Sequence, residues 1–175
     1  LETVSPNETR TDELKRAYVL LALSESGLLA DYAFTYGLDG QDDFVFSDKV
    51  DPLYLNYNAL FYQCLDMHNA VINQAYQQGV QSVTGVSFST VRRLADTYRE
   101  LKDHALAKKY IDILSHSTCH KTWVKERLTR LEAIKHETPL YEYDEYKATI
   151  SNFAHTISSM VDRNRNNRKY ADLLL

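Results

Sequence analysis

The sequence predicts an all-α fold of stacked helix-turn-helix hairpins. Three observations carry this expectation. Apolar side chains recur at three- and four-residue spacings along most of the chain. Only 5 Gly and 3 Pro occur in 175 residues, too few for the frequent turns of a β-sandwich and suited to long helices with short joints. Apolar residues make up 44% of the chain, enough to build a core, which excludes intrinsic disorder.

The elements follow in order. Residues 1–10 are polar and read as a loose lead-in. Thr11 or Asp12 caps a first helix, with Asp12 and Glu13 placing negative charge in its first turn, where the helix dipole favours it. Leu14, Ala17, Tyr18, Leu21 and Ala22 form its apolar stripe, and Ser26-Gly27 breaks it. A second helix begins at Leu28 and ends at Gly37, a natural residue for a left-handed helix end. Residues 38–52 form a long acidic connection whose Phe44, Val45 and Phe46 are expected to tuck onto the helices. Its aspartates lack the order and the twelfth-position Glu of a calcium loop.

Asp51-Pro52 opens the next helix, with Pro in the first turn. Leu53, Tyr57, Leu60, Phe61, Cys64 and Leu65 make its apolar face. A tight joint near Asp66-Met67 leads to a helix from His68 to Gln78, ended by Gly79. Ser87 or Ser89 caps a helix carrying Val91, Leu94, Ala95, Tyr98 and Leu101. Lys102-Asp103 forms the turn, and the partner helix carries Ala107, Tyr110, Ile111 and Leu114. The hairpins therefore span residues 11–37, 52–79 and 88–115. Further helices are expected over 122–135 and 140–163. The last is a long C-terminal helix with a three-four stripe from Tyr143 through Tyr146, Ile150, Phe153 and Ile157 to Met160, the spacing of a helix–helix seam. Asn166-Asn167 marks a new start.

Residues 88–121 resemble a tetratricopeptide repeat. Leu94, Ala95 and Tyr98 stand at that family's Leu, small and Tyr positions on helix A. Asp103 falls at the turn, and Ala107 and Ile111 stand at the small and bulky packing positions of helix B. Val91 replaces the family's Trp, and Cys119 stands where its Pro ends the unit. The first hairpin matches through Ala17, Leu21, Gly27, Ala30 and Phe34. The second matches through Phe61 and Ala70 and departs at Gln74. The resemblance implies a tetratricopeptide-like α-solenoid in which each hairpin hides its apolar side against the next. It also implies that helix A lines a concave groove, which would place Lys15, Tyr62, Arg92, Asp96 and Arg99 on the groove wall.

The tail, Leu140-Tyr-Glu-Tyr-Asp-Glu-Tyr through Leu175, is similar to the soluble C-terminal region of an uncharacterised family of Bacteroidetes membrane proteins. In that family a multi-span part precedes helical repeats. With Leu1 in place of Met, this implies one helical-repeat domain, residues 1–175, cut from a longer protein and tethered to a membrane outside this sequence. Within it the longest apolar run is Ala17 to Leu23, far short of a span.

Charge and motifs narrow the function. The net charge is −4, against the basic surface a general nucleic-acid binder needs. The charge is unevenly spread: residues 1–87 hold 4 basic and 12 acidic side chains, and residues 88–135 hold 11 basic and 6 acidic. Cys64 and Cys119 are too few for a disulfide framework. His116, Cys119 and His120 lie close together but lack an evident fourth ligand for zinc. There is no nucleophile elbow and no phosphate-binding glycine loop. The expectation is a non-catalytic protein-interaction or scaffolding module, with no metal and no cofactor, that binds a protein or peptide partner. Arg92 and Arg99 would hold a carboxylate or a peptide C-terminus. The alternatives are a structural appendage of a membrane-anchored protein and a stand-alone enzyme.

Overall fold

Pro6 opens the first helix, five residues before the sequence places it. In a computed structural model that describes residues 6–36, 43–46, 48–132, 153–163 and 168–174, α1 runs Pro6–Glu25. Proline fits a first turn because its missing N–H would be unbonded there in any case. The turns that follow are polar, so no apolar stripe announces them. Every regular element among the described residues is helical, and none of these helices is long and apolar enough to cross a membrane.

The chain divides into two compact units, Leu1–Lys49 with Thr149–Leu175, and Val50–Ala148. In the first, Ala17, Leu20 and Leu21 of α1 are buried, as are Leu29, Phe44, Val45 and Phe46. The expected second helix is shorter than its pattern: α2 covers Leu29–Tyr32 and tightens into a 3-10 turn over Ala33–Tyr36. Phe34, one of the residues that match the first hairpin to the repeat, is 83% exposed. The acidic connection does tuck in. Asp43 is buried and pairs with Arg16, and Lys49 Nζ lies 2.5 Å from Glu13 Oε2. Two ion pairs to α1 thus bracket the buried Phe44–Phe46 segment. Residues 37–42 and 47 lie outside the described residues.

The tail helices belong to this unit. α8 spans Phe153–Arg163 and α9 spans Arg168–Asp172. Ile157, Met160, Tyr170 and Leu173 are buried. Lys169 Nζ sits 2.7 Å from both carboxylate oxygens of Glu25, tying α9 to the end of α1. The first half of the expected 140–163 helix, and Asn166-Asn167, lie outside the described residues.

The second unit holds two hairpins and a further helix, packed in chain order. α3 (Pro52–Cys64) packs on α4 (His68–Gln81), and α5 (Phe88–Glu100) packs on α6 (His104–Ser115); α4 also contacts α5, and α6 contacts α7 (Lys121–Glu132). Asp51 caps α3 and accepts from Leu53 N at 2.9 Å. One core runs through α4–α7: Ala75, Val91, Leu94, Ala95, Tyr98, Ala107, Tyr110, Ile111, Leu114, Val124 and Leu131. The small residues Ala95 and Ala107 let α5 and α6 approach closely while Tyr98 and Tyr110 stack, centroids 5.5 Å apart and planes 3° apart. Gly79 does not end α4 as the sequence suggests, since the helix continues to Gln81. A Cβ there would lie 3.2 Å from Val86 Cγ2, so its role is close approach of the following loop.

Candidate functional site

α5 presents one apolar face to the core and one polar face away from it. Val91, Leu94, Ala95 and Tyr98 are buried. Arg92, Asp96 and Arg99, at helical offsets of four and three, share a second face beside it. The helix start is fixed firmly. Ser87 is the N-cap and accepts from Thr90 N at 3.2 Å, and Thr90 Oγ1 donates to Gln78 Oε1 of α4 at 2.9 Å. This anchorage sets where the first polar turns of α5 point.

Beside that start lies an open depression of about 270 Å³, lined by Gln63, Phe88, Ser89, Arg92, Arg93 and Asp96. Its arginines are positioned by different means. Arg93 Nη1 donates to Asn56 Oδ1 of α3 at 3.0 Å. Arg92 Nε lies 3.6 Å from Asp96 Oδ2, one turn along α5. Arg127, from α7, reaches the other Asp96 oxygen at 3.3 Å. The guanidiniums of Arg92 and Arg127 both lie over Trp123, 5.7 and 5.4 Å from the ring, where the π cloud attracts a cation. Trp123 in turn meets the edge of Phe88, and His120 stacks on Phe88. Its indole Nε1 is buried without a hydrogen-bond partner.

Electrostatically, Asp96 is a counter-charge shared by Arg92 and Arg127. Asp96 serves two guanidiniums at distances longer than the 2.7–2.9 Å of a strong charge-assisted bond. Arg92 and Arg127 therefore keep most of their N–H groups for something else. Arg99 points elsewhere: its Nη2 is 3.7 Å from Glu100 Oε1, and His68 Nδ1 is 3.8 Å from Glu100 Oε2. Burial pushes the Glu100 carboxyl pKa up, against the opposing pull of His68 and Arg99.

The five residues named from the sequence thus scatter. Arg92 and Asp96 come together in the depression. Arg99 lies further along α5 in its own ion pair. Tyr62 is 3% exposed inside the second unit, and burial raises its phenol to about 12. Lys15 sits in the first unit, exposed beside Asp12 at 3.4 Å. Sequence reading missed Arg93, Arg127, Trp123 and Phe88 as parts of one surface. The available signal was the basic run of residues 88–135 with its single Trp. The spacing could not show that α7 returns beside α5. His116 and Cys119 are exposed, and no group of three His, Cys, Asp or Glu among the described residues is arranged to hold a metal ion.

The protein is thus all-helical among its described residues, with a depression on its second unit that Arg92 and Arg93 help to line. The chain belongs to DUF6057, a family of unknown function whose model matches residues 3–175. No curated protein and no solved structure matches it.

Proposed function

We propose that this protein is a non-catalytic interaction module, and that the depression beside α5 holds an acidic segment of a partner protein. In this reading the hairpins stack in the tetratricopeptide manner and helix A of the third hairpin carries the binding wall. The observation that supports it is the pairing of Arg92 and Arg127 over Trp123, held in place by one shared carboxylate and left with free donors. Guanidiniums pre-positioned in this way lose little side-chain freedom on binding, which favours affinity.

Trp123 is the only tryptophan in the chain, so its fluorescence reports on the site directly. Titration with poly-glutamate and with short acidic peptides ending in a free carboxylate is expected to change that emission, with affinity falling as salt rises. Arg92→Glu with Arg127→Glu is expected to weaken binding by about tenfold or more, the scale of a lost charged hydrogen bond. Unchanged affinity in the double variant, with helicity intact by circular dichroism, would remove the depression from the reading.

A further inference from the structure

We infer that Tyr76 and Tyr110 form an oxidative cross-linking site, at which hydrogen peroxide and a haem peroxidase join the two rings and staple α4 to α6. The acidic-partner reading uses neither residue. Tyr76, on α4, is 46% exposed, and its hydroxyl is hydrogen-bonded to that of Tyr110 on α6. A third phenol completes the cluster: the Tyr98 hydroxyl of α5 lies 3.4 Å from that of Tyr76. Tyr98 and Tyr110 are buried, and their rings stack with centroids 5.5 Å apart and planes 3° apart. One phenol within reach of an oxidant in solvent thus touches two that are not.

The chemistry follows from this contact. Burial, and then the Tyr76 hydrogen bond, raise the Tyr110 phenol pKa, so Tyr110 enters the reaction as a neutral phenol. The peroxidase takes one electron from the exposed Tyr76, and the hydroxyl proton leaves to water. Tyr110 passes a hydrogen atom across the hydrogen bond, which restores the Tyr76 phenol and leaves the radical on Tyr110. A second one-electron oxidation of Tyr76 puts a radical on each ring. The two radicals pair at carbons ortho to the hydroxyls and form one C–C bond. Each ring recovers its aromaticity by moving its ortho hydrogen to its oxygen. The protein loses two hydrogen atoms in all, and the peroxide takes them up to become two waters. Hydroxyls in contact bring the ortho carbons close, since each is bonded to the carbon that bears the oxygen. Tyr98 fails the same test: its ring lies parallel to that of Tyr110, and a bond between ring carbons must lie close to both ring planes.

The test treats the full chain, dilute, with hydrogen peroxide and a haem peroxidase, and maps the product by proteolysis and mass spectrometry. A product of monomer size is expected, lighter by two hydrogen atoms, with the peptides that hold Tyr76 and Tyr110 joined. Its yield should hold on dilution, because both phenols belong to one chain. Linking positions 34 apart in sequence restricts the unfolded chain as a disulfide does, so the urea midpoint should rise. Tyr76→Phe should abolish the link while keeping the ring, with helicity checked by circular dichroism. Tyr98→Phe leaves both coupling rings in place and should retain it. The chain has 13 tyrosines, so the map decides. Absence of a joined 76–110 peptide, or links confined to other tyrosines such as the exposed Tyr32 and Tyr36, would overturn the assignment. So would a 76–110 yield that falls on dilution, the mark of one chain linking to another, or undiminished cross-linking of Tyr110 in Tyr76→Phe. A 76–110 link that leaves the urea midpoint unchanged would overturn the staple.

Discussion

Tyr62 shows what a single buried hydroxyl does to a helical core. Desolvation disfavours its phenolate, so its pKa rises from 10.0 to about 12. A group whose folded pKa is raised contributes stability that is fully present below its unfolded pKa and is lost as the pH climbs through the folded one. For Tyr62 that window is pH 10 to about 12. Urea unfolding across this range should show Tyr62→Phe losing less stability than the wild-type chain, because it has no phenol to ionise. Identical alkaline slopes would mean that the hydroxyl is solvated. The same residue explains a misplacement at the sequence level. A groove position next to Phe61 assumes a helix with one buried face. In α3, Tyr54, Leu55, Tyr57, Asn58, Ala59, Phe61 and Tyr62 are all buried. Neighbouring positions on more than one face are covered, and a 3.6-residue period cannot separate wall from core there.

One turn recurs at the level of elements. α1, α3 and α5 each end in a residue with positive φ: Gly27 at 67°, Asp66 at 55° and Lys102 at 60°. Each is flanked by the same two bonds. Leu28 N donates to Leu23 O, Met67 N to Tyr62 O and Asp103 N to Tyr98 O, all at 2.9 Å. One residue earlier, Gly27, Asp66 and Lys102 donate to the carbonyls of Ser24, Gln63 and Arg99. This is the Schellman helix end, and it favours glycine because a Cβ crowds the left-handed conformation. Only the first hairpin has its glycine. All three joints were legible: Ser26-Gly27, Asp66-Met67 and Lys102-Asp103 are where the sequence breaks its helices. The left-handed geometry at Asp66 and Lys102 was not, because neither residue signals it. Lys102→Gly is therefore expected to stabilise the protein by about 0.5–1 kcal/mol, the relief of backbone strain less the added freedom of the unfolded chain. Chemical denaturation measures it, and a lower midpoint for the variant would contradict the strain argument. Gly27→Ala should have the opposite sign, although nothing lies within 4 Å of the added Cβ.

At the scale of the whole molecule, the two hairpins α3–α4 and α5–α6 were readable because each is local, with a periodic stripe, a joint and a second stripe. Pairings between distant parts of the chain were not. Nothing in the spacing shows that Asp43 would meet Arg16, that Lys169 would meet Glu25, or that Arg127 would meet Asp96. These contacts decide how each unit is closed. Val50–Ala148 is one continuous stretch whose helices pack in chain order, α3 on α4, α4 on α5, α5 on α6 and α6 on α7. Its core residues from Ala75 to Leu131 come from within that stretch. The other unit joins Leu1–Lys49 to Thr149–Leu175, with the Glu25–Lys169 pair between segments far apart in sequence. Residues 50–148 expressed alone should therefore fold, giving a single cooperative urea transition and retaining the Trp123 response to acidic peptides. Residues 1–49 alone lack α8 and α9 and should remain largely unfolded, gaining helicity when mixed with residues 149–175. A non-cooperative, dye-binding 50–148 fragment would show that its core depends on the rest of the chain, because local packing without a complete hydrophobic centre leaves a collapsed but unfixed state.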